Sequence, residues 1–464
     1  MSASNDLVHQ FAEFAAHAGC EKIPAVAVEA AKKSILDTLG VILAASGVEP
    51  AVRGVVDFVT ESGGRPESQV FGFGGRVPAA MAAFANGAMA HCLDFDDQTP
   101  WGQHASSSIV PAALAVAERR GGVSGRDVIS AVAAGQDIFA RLRCNVGWRK
   151  DWNLSTVIGV FSATAAAGRV VGLSPTEMAN AFGIASMHSC GIMQVVSGIG
   201  SDLRGMYAGF SAKGAVVSTL LAERGIAGVD DLFEGQDGFF RTYFDGKYDR
   251  AKILEGLGEE YKGGYTLYKR WPAVGTAHSH MHAAIELVIE NDLRLADIAE
   301  IRVYVGDYHE LMCTPLPARR APATPVDAKF SLPFLVATAV VRRDVSFSDL
   351  TVGSLGDPDV LAAARLVVPI VDRNLDWKLE LPPGRVEIVT RDGRKLERVG
   401  TKVPGNPEAP MSWSDLSRKF GECAAAAASP LSAGTIEEVS RLVQHLEDVD
   451  DVSKVLRLLE HDSR

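Results

Sequence analysis

Between Leu7 and about Tyr265 the apolar positions recur with the period of a helix, about 3.6 residues. Pro24 opens the clearest case, Ala25–Leu43, in which Val28, Ala31, Ile35, Leu36, Leu39 and Ile42 share a face. Pro50–Glu61 predicts a shorter helix that stops at Gly63-Gly64. Gly72-Phe-Gly-Gly75 is rich in glycine, but no strand–turn–helix context surrounds it, so it reads as a turn and not as a nucleotide loop. Ile109–Arg120 predicts an apolar helix closed by Gly121-Gly122, and Ser124 caps another over Val128–Arg143. Ser174-Pro-Thr-Glu177 is a capping box with proline at the first helical position. Ala212–Gly225 continues the pattern, and no strand alternation is expected in this half.

The pattern changes near Lys269. Ile301–Val305 alternates as a half-buried strand does, and Arg385–Thr390 and Arg394–Val399 flank Asp392-Gly393, a hairpin signal. Between them, Ala328–Val341 predicts a helix and Ser346–Leu350 a helical turn. Pro404–Pro410 reads as a rigid linker, after which Ser414–Ala428 and Thr435–Leu459 return to helix. The expected fold is mainly α. A large, discontinuous all-α domain takes residues 1–267 and 405–464, and a smaller α+β domain takes residues 268–404.

The length of 464 residues suits two or three domains, and 47 % apolar with 22 % charged residues is an ordinary globular balance. The net charge of −11, without any long Lys/Arg run, argues against nucleic acid or an anionic membrane as partner. It leaves room for a small anionic substrate, because a few basic residues suffice for a local positive pocket. The six cysteines are scattered without a CxxC pair and read as reduced thiols of a cytoplasmic protein. The first residues show no signal-peptide pattern, and no uninterrupted apolar run has transmembrane length.

Chemistry concentrates in one stretch. Asn86-Gly-Ala-Met-Ala-His91-Cys-Leu-Asp94-Phe-Asp96-Asp97-Gln98 is followed by His104-Ala-Ser-Ser-Ser108. Carboxylates among apolar neighbours are costly unless paired, and clusters of this kind often serve function, although loops between helices also collect Asp and Ser. Asp94 is read as the carboxylate that orients His104 and raises its basicity. Asp96 and Asp97 are read as structural or as supporting the residues that carry the chemistry, and His91 as a packed core histidine.

The order N-G-A-x-A-H-x-L-D-F-D-D, the later histidine with its hydroxyl residues and the run VPAALAVAE resemble the MmgE/PrpD family, as does Ser34-Ile-Leu-Asp-Thr-Leu-Gly40. That family includes 2-methylcitrate dehydratases, cis-aconitate decarboxylases and iminodisuccinate epimerases. The resemblance implies a large all-α domain with an α+β lid, and a homodimer, which the Ala/Gly-rich helices would also allow. Lys269-Arg-Trp-Pro resembles the family's K-R-[FY]-P segment, and His278 falls on its histidine, which makes His278 the candidate general base or acid. His280 and His282 follow at alternate positions, but without a zinc-type spacing no metal is expected. Where the family has K-x-x-H-x-G, this chain has Arg204 and Tyr207, so the position holds a permanently charged carboxylate fork in place of a proton donor. The alternative for Arg204 is an ion pair with a neighbour such as Asp202. Asn153 falls where the family has a histidine, Gln98 where it has threonine, and Phe334 where tyrosine is frequent.

These residues predict a lyase, foremost a hydro-lyase, that needs no cofactor. It would abstract a proton next to a carboxylate of a small di- or tricarboxylic acid. A dicarboxylate epimerase or isomerase, a decarboxylase and an inactive dimeric scaffold are the alternatives. His278, His104 and Asp94 form the expected catalytic set, and Arg204, Gln98, Asn153, Tyr207 and Lys269 the substrate-binding set. Asp94, His104, Arg204 and His278 are expected to line one cleft between the helical domain and the insert.

Overall fold

The computed structural model describes residues 6–147 and 151–460. The first part is a stack of helices: α1 (Leu7–His17), α2 (Ala25–Val48), α3 (Val52–Glu61), α4 (Ala79–Cys92), α5 (Ser106–Arg120), α6 (Gly125–Cys144), α7 (Leu154–Val171), α8 (Pro175–Ala185), the single turn α9 (Gln194–Ser197) and α10 (Leu203–Ala222). The small residues serve close packing. A Cβ on Gly87 of α4 would lie 2.9 Å from the Cα of Gly209 on α10, and one on Gly205 would lie 3.1 Å from the Cα of Cys92. The two backbones therefore nearly touch, which sets Arg204 and Tyr207 beside the end of α4. Helix α7 is long and apolar enough to cross a bilayer, yet 89 % of it is buried inside the protein.

Two hydrophobic cores form. One gathers residues from Leu7 to Tyr268 together with Met411 to Leu459, so both ends of the chain share it. The other runs from Trp271 to Val403. The second core lies under a four-stranded sheet of order β4-β3-β5-β6, formed by β3 (Ile298–Val305), β4 (Val367–Val371), β5 (Gly384–Thr390) and β6 (Lys395–Gly400). Ile301 pairs with Val367 in parallel and with Ile388 antiparallel. Helices His278–Glu290 and Leu332–Arg342 pack on this sheet. The molecule is mainly α with a smaller α+β part, as the hydrophobic pattern predicts.

The differences are local and have physical causes. The first half contains a two-residue ladder, β1 (Ser68–Gln69) with β2 (Arg76–Val77), too short to show an alternation. Gly72, Gly74 and Gly75 between them all have positive φ, so the glycine-rich segment is the turn. The helix expected over Ala328–Val341 is broken into Pro325–Lys329 and Leu332–Arg342. Pro333 has no N–H for a helix to continue through, and Ser331 caps the restart by accepting from the Phe334 N–H at 3.2 Å. The C-terminal helix is likewise interrupted, into Ala433–Gln444 and Ser453–Arg457, where Val449 and Val452 hydrogen-bond the chain that enters α6. Strand β4 was not expected. Its sequence Val-Val-Pro-Ile-Val does not alternate, and proline is tolerated because β4 is an edge strand.

Candidate active site

The site is built on the end of α4. The last carbonyls of a helix have no partner within it. Beyond Cys92 the chain turns through Asp94, whose φ of 49° is in the left-handed region that non-glycine residues rarely adopt. Three buried lysines from distant segments take the carbonyls of this turn. Lys329 Nζ donates to Cys92 O (3.0 Å), Lys269 Nζ to Asp94 O (2.8 Å) and Lys419 Nζ to Phe95 O (2.7 Å). Each ammonium also has a carboxylate: Glu49 at 2.8 Å for Lys329, Asp94 for Lys269, and Asp37 at 2.7 Å for Lys419. Cations suit a helix C-terminus, and buried charges of either sign need such partners.

His104 sits just ahead of α5. Its Nδ1 is 2.8 Å from the Asp97 carbonyl and 3.1 Å from Asp96 Oδ2. A carbonyl only accepts, so Nδ1 carries the proton and Nε2 is the basic nitrogen. Nε2 lies 3.4 Å from Asp94 Oδ1. Burial, helped by Lys269 and His91 and opposed by Asp96, lowers the His104 pKa, so the ring is neutral near pH 7. Asp96 also holds His91 Nδ1, at 3.0 Å. Burial alone would raise the Asp96 pKa, but the two imidazoles outweigh it and hold the carboxyl well below the usual range. The carboxylate that orients His104 is thus Asp96, not Asp94. Residues 93–97 are not helical, so side-chain faces cannot be assigned from helical spacing. Asp94 is itself held below the usual range, where Lys269 and the imidazoles overcome burial. Asp97 differs: burial and the neighbouring Asp37 push it up to about 7, while Ser34 Oγ donates to it at 2.6 Å.

These groups border a cavity of about 60 Å³ that Asp94, Gln98, His104, Asn153, Arg204 and Tyr207 all line. His91 also reaches its wall, with its ring 4.5 Å from that of His104 and 4.3 Å from that of Tyr207. Three buried polar atoms of these six residues have no hydrogen-bond partner among the described residues: Asp94 Oδ2, Asn153 Nδ2 and Arg204 Nε. Asn153 caps α7 by accepting from Ser155 N–H through Oδ1 (3.1 Å), which leaves its amide donor over. The Arg204 guanidinium lies 3.5 Å from the Phe330 ring centre and makes no ion pair with Asp202 or any other described carboxylate. Burial lowers its pKa to about 10, which still leaves it charged at neutral pH. Burial pushes the Tyr207 phenol far up, so it stays protonated and able to donate. Trp377 and Leu381, from the segment between β4 and β5, border the cavity on its other side: a Cβ on Gly102 would lie 2.9 Å from the Trp377 ring, and Leu381 N–H donates to Pro100 O at 3.3 Å.

Two expected residues lie elsewhere. His278 does not line this cavity. Its Nε2 is tied to the Ala273 carbonyl at 3.1 Å, and burial drives its pKa down to about 3. It faces a neighbouring cavity of about 520 Å³ that shares Gln98, Gly275, Thr276 and Leu381 with the first. Lys269 sits behind Asp94 and lines only the second cavity. The expectation of one cleft holding His278 with His104 is therefore corrected, because the carbonyl at Ala273 fixes where the imidazole points. His280 is buried against His309, with ring centres 4.8 Å apart, and His282 faces Glu286, so the three alternate histidines do not converge. The set with metal-ligand chemistry is instead His91, Asp94, Asp96 and His104, whose ligand-type atoms lie within 4.8 Å of one another. In it Lys269 already engages Asp94, and both imidazoles engage Asp96. Gln103, Ser155, Tyr308 and Trp377 also line the first cavity and were not foreseen; Gln103 and Trp377 sit in loops and Tyr308 in the short helix Asp307–Leu311, without a motif, and Ser155 is in the first turn of α7, two residues after Asn153.

Comparison with known proteins gives a single family. The MmgE/PrpD N-terminal domain matches residues 9–251, and the MmgE/PrpD C-terminal domain matches residues 271–445. The chain belongs to the MmgE/PrpD family. The cis-aconitate decarboxylase of Aspergillus terreus is 25 % identical to it over 487 aligned positions, which cover 99 % of this chain and 96 % of that protein. The cis-aconitate decarboxylase of Mus musculus is 24 % identical, covering 93 % and 89 %, and that of Homo sapiens is 25 % identical, covering 83 % and 80 %. In this MmgE/PrpD protein the boundary between the two family domains falls at residues 251–271, where the chain passes from the first core to the second.

Proposed function

We infer that the protein is a lyase acting on a small di- or tricarboxylate of the cis-aconitate kind, by forming a carbanion next to a carboxylate that then either expels hydroxide or takes up a proton. One observation carries this reading: two buried donors without partners, Arg204 Nε and Asn153 Nδ2, share a small cavity with the Asp94–His104 pair. A substrate carboxylate would satisfy both donors. His104 Nε2 would then exchange a proton with the adjacent carbon, while the Arg204 charge and the Tyr207 hydroxyl stabilise the negative charge that develops. In dehydration His104 Nε2 takes the proton from carbon, the C–O bond breaks, and the departing hydroxide takes up that proton from the imidazolium to leave as water. In decarboxylation the C–C bond breaks, CO₂ leaves and the carbon takes a proton from His104 Nε2, which must first have been loaded with that proton from water. The names of the relatives favour the second outcome. None of these steps calls on a cofactor.

Incubating the purified protein with a panel of polycarboxylates in deuterated water, followed by NMR, separates the outcomes. Loss of CO₂ or of water is the expected result. Deuterium exchange with inversion and no loss would mean an epimerase, and no change with any member would refute the reading. We further propose a homodimer, for which Leu203, Phe210 and Leu221 offer an exposed apolar stripe on α10, in the cytoplasm. Light scattering that finds a monomer at micromolar concentration would contradict the dimer.

A further inference from the structure

We propose that Gln103 is a further substrate-binding residue, presenting its side-chain N–H₂ to a carboxylate, and that Arg143 is the positioning residue that turns the amide that way. The inference rests on the reading of the cavity as a carboxylate site.

Arg143, near the end of α6, is completely buried. Like Arg204, it has no carboxylate partner among the described residues, and its Nη2 has no hydrogen-bond partner there either. Its Nε donates to Gln103 Oε1, and its Nη1 donates to the Val146 carbonyl at 3.2 Å. A guanidinium has only donors, so it accepts only the oxygen end of an amide. Arg143 thereby decides which way Gln103 faces: the oxygen toward α6 and the N–H₂ away from it. Gln103 lines the reaction cavity next to His104. Its backbone is held at a φ of 64°, and its carbonyl accepts from Thr99 N–H at 3.0 Å, so the side chain springs from a constrained turn.

The simpler alternative gives Gln103 one task, to satisfy a buried arginine. Glutamate would do that better, because it adds a charge-assisted bond to a cation that has no counter-ion. It would also put acceptor oxygens where glutamine puts a donor, and so repel a substrate carboxylate. The two roles therefore rank the same substitutions in opposite order.

The test uses the full-length protein, tricarballylate as a stable tricarboxylate probe, titration calorimetry and thermal melting. Gln103→Glu should keep or raise the melting temperature yet weaken binding by about tenfold or more. Gln103→Met, which donates nothing and accepts only weakly, should weaken binding less than Gln103→Glu, with circular dichroism to verify its fold. If Gln103→Glu binds as wild type does, or Gln103→Met binds worse than Gln103→Glu, the proposal is overturned while the carboxylate site stands. If the wild type itself does not bind tricarballylate, the carboxylate site falls and this inference with it.

Discussion

The proton on Nδ1 of His104 determines what the imidazole can do. The Asp97 carbonyl and Asp96 hold it there, leaving Nε2 free toward Asp94. An amide in place of Asp96 is able to donate to Nδ1, which would reverse the tautomer. Asp96→Asn should therefore lower kcat by roughly two to four orders of magnitude with a smaller change in KM. Arg204 acts on binding. Arg204→Lys keeps the charge but loses the planar fork, so KM should rise by about tenfold while kcat changes little, and Arg204→Ala should do more. Steady-state kinetics on the best polycarboxylate checks both, and a fall in kcat without a rise in KM for Arg204→Lys would remove its role as a clamp.

At the scale of elements, the end of α4 is fastened by lysines that belong to other parts of the chain. Lys419, on the helix Trp413–Ala425, pairs with Asp37 on α2 and bonds the carbonyls of Phe95 and Lys269. Lys419→Met would leave Asp37 buried and unpaired, which costs about 3–5 kcal/mol. Denaturant melts should show that loss, and adding Asp37→Leu should recover much of it. Most of the helices were legible from periodicity and caps, and the β5–β6 hairpin from Asp392-Gly393. Strand β4, the break at Pro333 and the β1–β2 ladder were not, because each is short or fixed by neighbours distant in sequence. The same limit applied at the site. Asp94, His104, Asn153 and Arg204 were legible from local motifs, whereas the role of Asp96 and the direction of His278 depend on carbonyls that only the fold supplies.

At the scale of the molecule, three buried histidines tie stability to pH. His278 and His309 are lowered by burial to about 3, and His280 to about 4. Their unfolded values are near 6.5, so the unfolded chain binds protons that the folded one refuses. Stability from these groups is full above about pH 6.5 and is lost as pH falls toward the folded values, by roughly 1.4 kcal/mol per pH unit for each group. Asp97, raised to about 7, acts in the opposite sense between about pH 4 and 7 and offsets about one of them. His309→Gln should therefore flatten the decline of the melting temperature between pH 6.5 and pH 4.5, and a decline as steep as that of wild type would contradict this assignment. The cavity of about 60 Å³ is small for a polycarboxylate, and displacement of Trp377 and Leu381, from the segment between β4 and β5, would widen it. The central claim is that His104, rather than His278, exchanges the proton in that cavity. Solvent deuterium incorporation into the product, followed by NMR for wild type, His104→Ala and His278→Ala, tests it most directly. The expected result is a rate at least about a hundredfold lower in His104→Ala and within about tenfold of wild type in His278→Ala; incorporation that survives in His104→Ala and disappears in His278→Ala would contradict it.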